Sequence, residues 1–129
     1  MKRIWVNGTF DVMHVGHIRL LEFAKSLGDF LIVGLDTDDR IKEQKGRDRP
    51  VNSLASRIEF MQSIKWVDEV VNFDSDDVLS ALVKSVRPMA MVVGEEYKNK
   101  KVIGSEWASE VIYFNRVEDY STTKIINKK

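Results

Sequence analysis

The chain contains no cysteine. Disulfides, thiolate metal sites and cysteine nucleophiles are therefore excluded. No apolar stretch is long enough to span a bilayer, and the N-terminus MKRIWVNGTF turns polar too early for a signal peptide, so neither a membrane role nor export is expected and the location reads as cytoplasmic. Charge of one sign is lacking as well: 20 Lys and Arg balance 20 Asp and Glu. Without a broad basic field, nucleic acid is not an expected partner. Histidine is scarce, with two in 129 residues. What is present is ordinary for a globular protein, 43% hydrophobic and 31% charged, and predicts one domain over residues 1–129.

Arg3–Val6 is a short apolar run that ends at Asn7-Gly8 and reads as a strand. From Val15 the period changes: Ile18, Leu20, Leu21, Ala24 and Leu27 fit a helix, stopped by Gly28-Asp29. FLIVGLD is a continuous branched run, the mark of a strand buried on both faces. Strand, helix and strand within about thirty residues form a right-handed crossover unit. The polar stretch from Asp38 to Asn52 predicts a short helix and a loop closed by Pro50. Ser53–Lys65 follows as a helix capped by Ser53. EVVNF, MAMVVG and EVIYF are the remaining strands, a helix covers Asp76–Val86, and a last short helix covers Ser121–Asn127. This alternation predicts a Rossmann-like, doubly wound α/β fold: a mostly parallel five-stranded sheet with helices on both faces.

Such sheets bind ligands outside the carboxyl ends of their strands. Four segments fall there: Gly8–His17, Asp36–Asp38, Gly94–Tyr97 and Asn115–Thr123. The first holds both histidines of the chain, His14 and His17, at the start of a helix. Gly8 lets the chain turn and a ligand approach its backbone, and Gly16 keeps side chain out of the space between the rings. Free N–H groups at a helix start favour an anion, and two imidazoles beside them could stabilise charge on a phosphate in flight. The plainer alternative is a pair of surface or capping residues. A metal pair ranks below phosphate binding, because Asp11 is the only further ligand nearby.

Ser121, Thr122 and Thr123 precede a helical run, with Arg116 upstream, and would suit the terminal groups of a triphosphate. A plain N-cap would need one hydroxyl. In the cationic run, Lys45 beside Gly46 is placed to close over phosphates, and Arg57, one turn into its helix, to fork onto phosphate oxygens. The carboxylates of Gly94-Glu95-Glu96-Tyr97 could accept from a base or from hydroxyls, or simply end a solvated loop.

The string GTFDVMHVGH resembles the signature of the HxGH nucleotidyltransferase superfamily, and the likeness runs through VDEVV, VVGEEY and STTKII. The late Arg116-x-Glu118-x-x-Ser121-Thr122-Thr123 pattern is similar to glycerol-3-phosphate cytidylyltransferases, with Val117, Asp119 and Tyr120 departing from it. KGRDRPVNSLASR and EEYKNKKVIGSE are similar instead to the adenylyltransferase domain that makes ADP-heptose. The resemblance implies that His14 and His17 contact nucleotide phosphates and stabilise the transition state. It implies that Thr9, Phe10 and Asp11 line the phosphate and acceptor side, and that Asp38 holds acceptor or ribose. Lys45 takes the place, with a one-residue shift, of a loop lysine. Arg57 matches a helix arginine, Lys65 stands in place of arginine, and Glu96 in place of aspartate. Gly94, Arg116 and Ser121–Thr123 belong to the nucleotide site.

The implied reaction is transfer of a nucleotidyl group from a nucleoside triphosphate to a small phosphorylated acceptor, with release of pyrophosphate. CTP with glycerol 3-phosphate is the first expectation, and ATP with heptose 1-phosphate the alternative. Mg2+ is expected on the nucleotide phosphates near Asp11, with no direct protein ligand. A nucleotide-binding module without turnover is disfavoured by the intact histidine pair. A homodimer is expected from Trp66, Trp107 and Tyr113, large groups that a small sheet leaves partly uncovered.

Overall fold

A computed structural model describes residues 1–115. Strands β1 (Arg3–Gly8), β2 (Phe30–Asp36), β3 (Glu69–Phe73), β4 (Ala90–Gly94) and β5 (Glu110–Phe114) form one sheet in the order β3-β2-β1-β4-β5. Every pairing is parallel. Helices α1 (Val15–Ser26), α2 (Asp38–Lys45), α3 (Leu54–Gln62) and α4 (Asp76–Val86) make the crossovers. The chain winds outward from β1 to β3, then returns to place β4 on the other side of β1. The switch point therefore lies between β1 and β4, where such sheets open a crevice.

Strand residues alternate between two cores. Ile4, Val6, Leu31, Val33, Leu35, Ala90 and Val92 pack with Leu20, Leu21 and Ala24 of α1 and Met61 of α3. Trp5, Ile32 and Met91 point the other way, onto Phe73 and onto Leu79 and Val83 of α4. This two-residue period, with both faces covered, is why the strands read as unbroken apolar runs. Gly34 is required by that packing: a Cβ there would lie 2.8 Å from Cζ2 of Trp5 and 3.2 Å from Cε1 of Phe73.

The expected architecture holds, with shifted edges. β1 runs two residues past Val6, because Asn7 and Gly8 still pair with Gly34 and Leu35. α3 stops at Gln62, short of Lys65. Two short 3-10 turns, Glu95–Tyr97 and Ser105–Trp107, fill the β4–β5 connection, for which no element was expected. The helix expected over Ser121–Asn127 lies outside the described residues. Trp66 and Trp107 pack against the cores but are only partly buried, and Tyr113 is exposed. Among the described residues no helix is long and apolar enough to cross a membrane.

Candidate active site

The turn between β1 and α1 is built by its own histidines. His14 is the N-cap of α1, and its Nδ1 accepts from the Gly16 N–H at 3.0 Å. His17, three residues on, reaches back so that its Nδ1 accepts from the His14 N–H at 3.1 Å. The motif is thus a capping box in which imidazoles replace the usual hydroxyl and carboxylate. The capping role, set aside on the sequence, is real for one edge of each ring. It also fixes the tautomer: a neutral ring that accepts at Nδ1 carries its proton on Nε2. The rings lie 4.0 Å apart, centroid to centroid, tilted by 37° to each other.

The N–H of Gly16 is taken by His14 Nδ1, and those of His17 and Ile18 by the His14 carbonyl, so these three backbone groups at the helix start are already engaged. Phe10 holds His17 in place, edge against face at 5.5 Å. It is buried and has φ of 47°, a left-handed conformation uncommon for a bulky side chain, and its ring lies over Gly8, where a Cβ would come within 3.1 Å of it.

Arg57 is placed differently from the expectation that it would bind phosphate. It is 2% exposed. Its Nη1 donates to the carbonyls of Thr9 (3.1 Å) and Asp36 (2.8 Å), its Nε to that of Asn52 (3.1 Å), and its Nη2 to Asp38 Oδ1 (2.7 Å). Four of its five N–H groups are thus committed to protein. It staples the loops after β1 and β2 to the start of α3. Asp38, expected to hold acceptor or ribose, is its ionic partner. Asp11, expected near Mg2+, accepts from the N–H groups of Val51 and Asn52, both at 2.7 Å, while Asn52 Nδ2 donates to the Asp11 carbonyl. Burial pushes the Asp11 carboxyl up, but those bonds and the charges of Arg57 and Arg49 together hold it below its ordinary value. Both groups shape the site from behind.

Thr9, Phe10, His17, Asp36, Arg40, Lys45, Gly94 and Glu96 line one cleft of about 490 Å³ above β1 and β4. Lys45, at the end of α2, reaches across it, with Nζ 3.4 Å from Thr9 Oγ1. That hydroxyl lies 3.3 Å from Asp36 Oδ2. The Glu96 carboxylate lies over Gly94. Lys65 is not in the cleft. It follows α3 near the amino ends of the strands, its ammonium 4.9 Å from the Trp66 ring. Arg116 and Ser121–Thr123 lie outside the described residues. Arg40, which no motif marked, lines the cleft between Asp36 and Asp76. Its appearance within a mixed-charge run hid it.

A doubly wound parallel sheet with a donor-rich crevice at its switch point defines an α/β domain of the nucleotide-handling kind. The chain belongs to the cytidylyltransferase-like family, whose model matches residues 5–128, and with it to the nucleotidyltransferases. It is 44% identical over 125 residues to the bifunctional protein HldE of Helicobacter hepaticus, covering 97% of this chain and 26% of that one. It is 46% identical to HldE of Campylobacter fetus, covering 97% and 27%. The chain thus spans about a quarter of the length of these relatives. Among solved structures, a lipopolysaccharide core biosynthesis protein from Thermoplasma volcanium aligns with a TM-score of 0.71 at 25% identity, over 89% of this chain and 98% of that one. A protein of unknown function from Archaeoglobus fulgidus shares the fold, with a TM-score of 0.70 over 94% of each chain.

Proposed function

We propose that this domain transfers an adenylyl group from ATP to the phosphate of a sugar 1-phosphate of the heptose class, releasing pyrophosphate. This reverses the order set by the sequence. CTP with glycerol 3-phosphate rested on the Arg116 and Ser121–Thr123 pattern, whereas the HldE relatives match nearly the whole chain and stand on the ADP-heptose side.

The observation that carries the reading is the histidine capping box. Two adjoining imidazoles held through Nδ1, with His17 lining a cleft that Lys45 also lines, suit a polyphosphate whose charge grows as a bond breaks. The acceptor phosphate is already anionic and needs no base to attack the α-phosphorus in line. Catalysis is then positioning and charge stabilisation, and no covalent intermediate forms. His14 and His17 donate to the phosphoryl oxygens in flight, and Lys45 neutralises the departing pyrophosphate. Thr9, fixed by Asp36 and by Arg57 through its carbonyl, sets the floor between them. Among the described residues no group of three His, Asp or Glu side chains could hold a metal ion, and both Asp11 oxygens already accept backbone bonds. Mg2+ carried on the triphosphate's own oxygens would offset the charge of the leaving group.

The test is a grid of the four ribonucleoside triphosphates against heptose 1-phosphate, other sugar 1-phosphates and glycerol 3-phosphate, read by pyrophosphate release. ATP with heptose 1-phosphate should give the highest kcat/KM. A higher value for CTP with glycerol 3-phosphate would restore the first expectation, and no release with any pair would end the transferase reading.

A further inference from the structure

We propose that Arg40 is the acceptor's phosphate anchor, and that it takes the phosphate by giving up its contact with Asp76. The proposal rests on the transferase reading above and adds the residue that selects a phosphorylated acceptor.

Arg40 lines the same cleft as His17 and Lys45. Its guanidinium is fixed on two sides: Nε donates to Asp36 Oδ1 and Nη2 to Asp76 Oδ1, each at 2.7 Å, with the Phe73 ring 5.3 Å away. Nη1 donates to no protein atom among the described residues, yet it is not sealed from solvent. The guanidinium is thus a pre-oriented fork with one arm open, the form that suits a phosphate.

The two carboxylates that hold it are unequal. The Asp36 side chain is 12% exposed and that of Asp76 is 65% exposed. Asp36 is also tied through its second oxygen to Thr9 Oγ1, which Lys45 touches from the other side. The Arg40 side chain itself is only 11% exposed, but Asp76 lies mostly in water and can be rehydrated when it leaves, so an incoming dianionic phosphate can replace it. Asp36 stays and keeps the guanidinium aimed. Asp38 does not compete, because Arg57 holds it. The acceptor phosphate would then sit between Arg40 and Lys45, with Thr9 beneath.

A purely structural Arg40, tying β2 to the start of α4, makes a different prediction from an anchor. In the full chain, Arg40→Gln should raise KM for heptose 1-phosphate by about tenfold or more, a loss of about 1.4 kcal/mol, and leave KM for ATP within about twofold. Asp76→Asn removes the competitor and should lower the acceptor KM about two- to fivefold, in the range of an exposed pair. Unchanged acceptor KM in Arg40→Gln, a parallel rise in KM for ATP, or an unchanged or raised acceptor KM in Asp76→Asn would overturn the assignment. If Arg40→Gln does not fold, Asp76→Asn decides alone. If no acceptor is turned over at all, calorimetry with inorganic phosphate and no nucleotide decides separately. Tighter binding by Asp76→Asn than by the unmodified chain keeps the Arg40 site while the transferase reading falls; equal or weaker binding removes the site too.

Discussion

At the amino ends of the strands, Asp68 accepts from Lys25 Nζ and from the Leu31 N–H, Lys25 also donates to the Asp29 carbonyl, and Asp29 accepts from the Lys2 N–H. At the carboxyl ends, Arg57 is as fully engaged but buried, while His17, Lys45 and Arg40 line a cleft beside the His14 cap. The two edges carry similar residue types to different ends. One edge closes its polar groups on one another and joins chain segments. The other holds its side chains still beside a cleft that a ligand can enter. Placement at a cleft, rather than charge as such, separates a site from a brace.

The largest effect that separates these edges is on turnover. His17→Ala should lower kcat by about 10²–10³-fold, the usual cost of one transition-state donor, read by pyrophosphate release; a fall below tenfold would place His17 with the braces. Lys45→Met should lower kcat by about 10–100-fold as a charge donor over the leaving group, with the thermal midpoint unmoved, because its side chain is exposed and supports no core.

Arg57→Met probes the buried brace of the same edge. It should destabilise the fold by about 3 kcal/mol, since three carbonyls and Asp38 lose their donor. The urea midpoint should drop with an unchanged slope, and activity should fall only as far as Thr9 is displaced.

The smallest effect belongs to the far edge. Asp68→Asn should destabilise by about 1 kcal/mol and leave kcat unaltered. Burial pushes the Asp68 carboxyl up, but Lys25 and the Leu31 N–H together hold it below its ordinary value. A carboxyl lowered by folding contributes its full stability above the unfolded value, near 3.8, and loses it as pH falls through the folded value. Acid unfolding of the unmodified chain should therefore steepen below about pH 4, and Asp68→Asn should flatten it.

The sheet was legible because both faces of its central strands are buried, so β1, β2 and β4 appear as apolar runs. The histidines were legible from their place after β1, at the end of a strand. Capping is the plainer alternative the sequence offers; which ring edge caps, Nδ1 in both, is visible only in the structure. Arg57 could not be placed, since its bonds go to carbonyls of residues 5, 48 and 21 positions away, which leave no local pattern. Asp11 with Val51 and Asn52 is the same case, 40 and 41 residues apart. Lys65 stands where the family resemblance implies an arginine, yet it follows α3 outside the cleft. Sequence shows which groups gather at a strand end; their division between holding and binding needs distances.

The central claim is that His14 caps with Nδ1 and binds with Nε2. Serine is a good N-cap whose single short hydroxyl does not reach where Nε2 stands, so the decisive measurement is pyrophosphate release by His14→Ser, with urea unfolding of the same sample. Stability within about 0.5 kcal/mol of the unmodified chain, together with turnover reduced by about 10²-fold or more, is the expected result. Turnover near that of the unmodified chain, in a variant that folds as well, would contradict it.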